Sequence, residues 1–125
     1  PTLLELCGLP LRPQQHCDGV SLAPVLLNPQ AKFDRGPIFW HYPHYGNQGG
    51  TPGSALRCGK WKYIEFYEDH SVRLFDLEQD VSEKHNVAEV YPDLVRQFHS
   101  LLHEWLEAVD AWYPEVNPHA EQDMA

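Results

Sequence analysis

Residues 60–67 alternate between two sets of side chains, and this period of two is typical of a β-strand. The tight turn predicted over residues 68–70 leads into a similar stretch at residues 71–77, so the two stretches should pair as a β-hairpin. Residues 37–42, which are β-branched and aromatic, predict another strand, and residues 54–57 predict a short one.

A longer period, of three to four residues, runs through the last regular segment of the chain. Asp80 and Glu83 first show capping-box spacing, which predicts a short helical turn ending near Asn86. Pro92 then fits the first position of a long helix, which we expect to run to about Asp110. The apolar stripe of this helix consists of Leu94, Phe98, Leu101, Leu102, Trp105 and Val109.

The first part of the chain is rich in loops and predicts two short helices. Thr2 and Glu5 have capping-box spacing for one helix, and Ser21 is a suitable cap for a second over residues 22–27. The whole pattern predicts an α+β fold, in which a small antiparallel β-sheet of three to four strands packs against one long C-terminal α-helix. The short N-terminal helices should sit at an edge of this unit or belong to a missing neighbour.

The length of 125 residues suits a single domain covering residues 1–125. Within it we expect a helical and loop segment at 1–36, the sheet and helix at 37–110, and an extended tail at 111–125.

The charge balance excludes several classes of partner. Nine Lys and Arg residues against 18 Asp and Glu residues give a net charge of -9, so no nucleic-acid partner is expected. The same charge disfavours an anionic membrane surface, and the apolar runs are too short to span a bilayer. The three cysteines, Cys7, Cys17 and Cys58, form no C-x-x-C pair, so we interpret them as small packing residues.

Two histidines on the last helix have a spacing that can bind zinc. His99 and His103 lie four residues apart, but no Glu follows the first of them as in H-E-x-x-H. A helical wheel places His103 far from the apolar stripe and His99 on its flank. We therefore interpret them as two solvated histidines, and we read Glu65 as a solvated charge at a turn.

A second polar cluster joins a strand end to a glycine-rich loop. Amides can bind sugar hydroxyls, aromatic rings can cover apolar sugar faces, and imidazole or guanidinium groups can meet an anionic substituent. The alternative is a hydrogen-bonded loop whose histidines satisfy backbone carbonyls. No Asp or Glu lies in the cluster, so a metal site is not expected there. The candidate substrate-binding residues are His41, His44, Tyr45, Asn47, Gln48 and Arg57.

Five segments, in order, resemble the C-terminal region of the type I sulfatases, which are formylglycine-dependent sulfuric ester hydrolases. Residues 1–10 (PTLLELCGLP) are similar to P-T-[LI]-L-x-L-A-G-x-P, and residues 18–26 (DGVSLAPVL) to D-G-x-S-L-x-P-L-L. Residues 39–45 (FWHYPHY) resemble the W-H-Y-P-H-Y of a bacterial arylsulfatase-like branch. Residues 55–64 (ALRCGKWKYI) and 74–86 (LFDLEQDVSEKHN) resemble A-[IL]-R-x-G-x-[WY]-K-L-I and L-Y-D-L-x-x-D-x-x-E-x-x-N.

The resemblance implies a C-terminal subdomain that packs beside a large N-terminal α/β domain. The family nucleophile is a formylglycine made from C/S-x-P-S-R, and residues 7–12 (CGLPLR) depart from that motif. Calcium and formylglycine are accordingly expected in the absent parent domain, with no cofactor in this chain, and the chain alone is expected to be inactive. Its loops would help select a sulfated carbohydrate. An exported parent, periplasmic or secreted, also follows from the resemblance.

Two alternatives remain open from the residues. The chain could be an autonomous carbohydrate-binding module, although its net charge of -9 argues against unaided binding of a polyanion. It could instead be a purely structural module that caps the large domain. If the chain is instead a subdomain of a larger sulfatase, the apolar side formed by Leu3, Leu4 and Leu6 should pack on the absent domain and, when uncovered, self-associate or lie disordered.

Overall fold

A computed structural model describes residues 1–47 and 49–115, which form two compact units divided after Gly36. The first unit, Pro1–Gly36, contains α1 (Thr2–Leu6) and α2 (Ala23–Leu27). Helix α1 begins at Thr2 itself, with Pro1 at the N-cap, so the predicted capping box does not form. The Thr2 hydroxyl instead accepts a hydrogen bond from the Leu22 N–H at 2.9 Å, which ties the two short helices together.

The second unit is a four-stranded antiparallel sheet with one long helix, which confirms the predicted α+β fold. The sheet order is β1-β2-β3-β4, so each strand pairs with its neighbour in sequence. The elements are β1 (Ile38–Tyr42), β2 (Gly53–Cys58), β3 (Trp61–Phe66), β4 (Val72–Asp76) and α3 (Pro92–Ala108).

Register places two rows of side chains on the sheet face that α3 covers. The apolar row runs across the four strands as Phe39, Leu56, Tyr63 and Leu74. The second row is the polar row, whose members each lie two residues from a member of the apolar row on the same strand. It consists of His41, Ser54, Glu65 and Val72. Because side chains two apart on a strand share a face, the two rows lie side by side under the helix.

Helix α3 buries its apolar stripe on the apolar row. Phe98, Leu102 and Leu106 are all buried there, and Phe39 stacks on Trp105 with 4.9 Å between ring centroids. The predicted stripe included Val109 and omitted Leu106, whereas Val109 is the C-cap and is 50% exposed. The stripe therefore ends one turn before its predicted end.

Residues 81 and 82 form a turn and residues 83–86 are irregular, so the predicted helical turn there is wrong. Glu83 has φ +54°, which is incompatible with a right-handed helix. Its carboxylate reaches back to Lys62, whose Nζ lies 2.7 Å from both carboxylate oxygens. Within residues 1–47 and 49–115, no helix combines the length and apolar character needed to cross a membrane.

Candidate functional site

His41 is held at the end of the polar row by bonds to both of its ring nitrogens. Nδ1 lies 2.8 Å from the Ser54 hydroxyl, and Nε2 lies 2.7 Å from the Trp112 carbonyl oxygen. A carbonyl oxygen only accepts, so Nε2 carries the proton and donates it. In the neutral ring Nδ1 then accepts from the Ser54 hydroxyl or from Tyr67, whose hydroxyl lies 3.1 Å away. His41 thus fits the alternative to sugar binding, in which a histidine satisfies a backbone carbonyl.

The loop between β1 and β2 presents its polar side chains outward. It is closed by the Gly46 N–H, which donates to the Gly50 carbonyl at 3.0 Å, and Gly49 has a left-handed φ of +91°. The side chains of His44, Tyr45 and Asn47 are exposed, with Tyr45 at 69%. Gln48, the fifth candidate, lies outside the described residues.

The segment after α3 meets this loop through Trp112. The His44 ring stacks on Trp112 with 6.1 Å between centroids, and the Tyr42 ring meets His44 edge-on at 5.6 Å. His41 bonds to the backbone of the same tryptophan. Trp112 therefore brings together His41 and His44, the first two candidate residues. The sequence predicted only an extended tail for the segment that contains Trp112.

Arg57, the sixth candidate, lies on the opposite face of the sheet from His41. Ser54 shares the face of His41, and Arg57 is three residues further along β2, so the strand alternation turns it outward. There it lines a cavity of about 440 Å³ with Trp40 and Lys62. The five predicted residues that the structure describes consequently do not form one pocket.

Two tyrosines complete the surroundings of His41 and were missed by the sequence analysis. The Tyr67 hydroxyl lies 2.5 Å from the Ser54 hydroxyl, and the Tyr113 ring approaches His41 and Tyr67 edge-on at 5.9 and 5.6 Å. Burial raises the pKa of Tyr67 to about 12, although its hydrogen bond to Ser54 acts in the opposite direction. Burial also raises the pKa of Tyr113, assisted by the charges of Glu65 and Glu107. Both phenols stay protonated at neutral pH and can donate.

A second cluster occupies the middle of the polar row. Glu65 is 7% exposed on β3, not at a turn, and both predicted solvated histidines of α3 face it. His99 Nδ1 lies 3.2 Å from Glu65 Oε2, and His103 Nε2 lies 2.8 Å from Oε1. The Tyr63 hydroxyl donates to Oε2 at 3.3 Å, and burial followed by the Glu65 charge raises the pKa of Tyr63. The solvated interpretation is therefore wrong for Glu65 and for His103, whose Nε2 is buried, whereas the His99 side chain remains 56% exposed.

Comparison with known proteins identifies the family to which this chain belongs. The family described as "N-sulphoglucosamine sulphohydrolase, C-terminal" matches residues 1–110. The chain belongs to this family. Its resemblance to the C-terminal region of sulfatases is thereby confirmed.

Individual members agree with the family match. A "Sulfatase" of Formosa agariphila is 33% identical over 119 residues, covering 85% of this chain and 22% of that protein. "Arylsulfatase K" of Mus musculus is 36% identical over 101 residues, covering 75% of this chain and 18% of that protein. One solved structure, a protein in complex with its substrate D-glucosamine-2-N,6-O-disulfate, has a TM-score of 0.64 at 25% identity and covers 86% of this chain and 22% of its own. The chain thus spans about a fifth of the length of the relatives it matches.

Proposed function

We propose that this chain is the C-terminal subdomain of a larger sulfuric ester hydrolase that acts on sulfated carbohydrate. The family match over residues 1–110 carries this proposal. Support also comes from the relatives, of whose length the matched region makes up 22% and 18%. In this proposal the catalytic groups belong to the larger part of the enzyme, and the subdomain contributes support and substrate-selecting loops.

The donor groups of the chain fit this division of labour. Calcium prefers six to eight oxygen ligands. In the described part of the chain, the side chains that come together as a metal-capable group of three are Glu65, His99 and His103, which offer one carboxylate and two imidazoles. That set does not suit calcium. Cys7 likewise stands in a sequence that departs from the formylglycine motif. We therefore assign calcium and formylglycine to the parent domain. In this proposal no catalytic step takes place on this chain.

Within the subdomain, we assign substrate contact to the β1–β2 loop. His44, Tyr45 and Asn47 are exposed on it and offer an imidazole, a phenol and an amide. Gln48 continues the same loop in sequence. His41 acts as a positioning residue in this proposal, because both of its ring nitrogens are engaged by the protein.

Arg57 takes a separate part in the proposal. It is exposed on the outer face of the sheet, so it would meet an anionic group that approaches from that side and not from the loop. The leucine side of α1 supplies the docking surface for the parent domain, since Leu3 and Leu6 are exposed there.

A capping module without substrate contact is the second candidate function, and the saturated hydrogen bonding of His41 favours it. The two functions separate in the complete parent enzyme carrying His44→Ala and Asn47→Ala, assayed for kcat/KM on a sulfated oligosaccharide. Substrate contact predicts a fall of about tenfold, equivalent to roughly 1.4 kcal/mol. The matched control, His85→Ala, changes an exposed histidine away from the loop and should leave kcat/KM unchanged. Unchanged kcat/KM in the loop variants would favour capping.

A further inference from the structure

We propose that Glu65, His99 and His103 form a binding site for a divalent transition-metal ion, with zinc as its best-suited occupant. One ligand atom from each residue lies within 4.8 Å of the other two. The site lies within the second structural unit and is independent of the proposed sulfatase function.

The fold brings these three groups together from two rigid elements. His99 and His103 are four apart on α3, so they project from consecutive turns on one side, and their ring centroids are 4.1 Å apart. Glu65 points at them from the middle of the polar row on β3. A site between a helix and a central strand is held more firmly than one assembled on loops.

Two of the separations between ligand atoms are close to those that zinc requires, and each involves a different oxygen of Glu65. With bonds of about 2.0–2.1 Å to nitrogen and oxygen, the ligand atoms of a tetrahedral zinc lie roughly 3.3 Å apart. Glu65 Oε2 and His99 Nδ1 are separated by 3.2 Å, and Glu65 Oε1 and His103 Nε2 by 2.8 Å. Only small side-chain movements are needed to admit an ion between them.

The charge and hydrogen bonding of the cluster also favour a cation. A buried carboxylate needs a partner, and Glu65 forms ion pairs with no Lys or Arg among residues 1–47 and 49–115. His103 Nε2 is buried but has no hydrogen-bond partner in that part of the chain, despite its close approach to Glu65. A metal ion would neutralise the carboxylate and satisfy this nitrogen at once.

The surroundings of the cluster also fit a metal site with three protein ligands. The Tyr63 hydroxyl donates to Oε2 of Glu65, as the outer partner of a metal ligand does. A cavity of about 300 Å³, lined in part by Val72 and Tyr113, borders all three ligands and leaves room for a water in a fourth position. Two imidazoles with one carboxylate suit zinc and its neighbours in the first transition row, not calcium or magnesium.

The test is calorimetric titration of the chain with Zn²⁺, in a Cys7→Ser/Cys17→Ser background that removes its two exposed thiols. We expect one ion per chain. His99→Gln and His103→Gln should each weaken binding by at least about a hundredfold, more than the loss on Tyr63→Phe, which removes an outer partner. Co²⁺ in place of Zn²⁺ should give visible absorption that the same ligand variants abolish.

The matched control is His85→Gln, because His85 also lies beside a carboxylate, 3.5 Å from Asp80, but has no third ligand among the residues that the structure describes. It should bind zinc as tightly as the unaltered Cys7→Ser/Cys17→Ser chain does. Circular dichroism verifies folding, and the His99→Gln variant decides if His103→Gln does not fold, since the His99 side chain is 56% exposed. Absence of saturable binding, or binding of equal strength in His99→Gln, would overturn the proposal.

Discussion

The apolar row and the polar row lie side by side on one sheet face, under one helix, and are built from opposite chemistry. The apolar row meets Phe98, Leu102 and Leu106, whose burial removes hydrocarbon from water. The polar row meets His99 and His103, whose ring nitrogens approach the Glu65 carboxylate. A shift of two residues along each strand thus separates the hydrophobic core from the cluster of ionisable side chains.

The largest test of this contrast is Leu102→Ala, which leaves a cavity beneath the helix because Leu102 is fully buried. We expect the free energy of unfolding to fall by about 2–5 kcal/mol in urea denaturation. The control is Val81→Ala, which shortens an exposed side chain in the same unit and should change stability by less than about 0.5 kcal/mol. Equal losses in the two variants would refute the assignment of the apolar row as the core.

A smaller effect is expected from the polar row, where His41→Ala removes hydrogen-bond partners from Ser54 and from the Trp112 carbonyl. The unfolding free energy should fall by about 1–3 kcal/mol. His44→Ala is the matched control, since the His44 side chain is exposed in the adjoining loop, and it should change stability by less than about 0.5 kcal/mol. A larger loss in His44→Ala than in His41→Ala would reverse the roles given to the two histidines.

The smallest effect concerns carboxylates that lie in neither row. The ion pair with Lys60 lowers the pKa of Asp76, and the backbone N–H of His85 lowers the pKa of Asp80. A lowered folded-state pKa stabilises above the unfolded-state pKa and loses that stabilisation as pH falls through the folded value. The urea midpoint should therefore fall as the pH drops below about 4.

Asp80→Asn should make that decline shallower, whereas Glu104→Gln, on an exposed position of α3, should leave it unchanged. Midpoints measured between pH 6 and pH 3 supply the comparison. A decline that is just as steep in Asp80→Asn would show that Asp80 plays no part in it.

Alternation and helical periodicity were sufficient to predict the sheet and α3, because both report which face of an element is apolar. Leu106 follows Leu102 by four residues and fits the same spacing, but the predicted stripe continued from Trp105 to Val109, which lies past the helix end at Ala108. The prediction for residues 80–86 was wrong because the capping-box pattern carries no information on tertiary contacts: Glu83 pairs with Lys62 and has a left-handed φ.

The candidate site was less predictable because its members meet through tertiary contacts. The i,i+4 histidines were visible, but Glu65 is 34 residues away from His99, and an acidic residue on a strand normally indicates the solvent face. Counting residues along β3 from Tyr63 would have placed Glu65 on the inner face. Nothing in the local sequence indicates that Trp112 returns to His41, a bond that spans 71 residues.

The most direct measurement of the central claim is sulfate release from an aryl sulfate and from a sulfated oligosaccharide, by the purified chain and by its complete parent enzyme. We expect turnover by the parent enzyme and, for the chain alone, a rate equal to that of buffer. Turnover that stays with the chain through purification would contradict the assignment of catalysis to the larger domain.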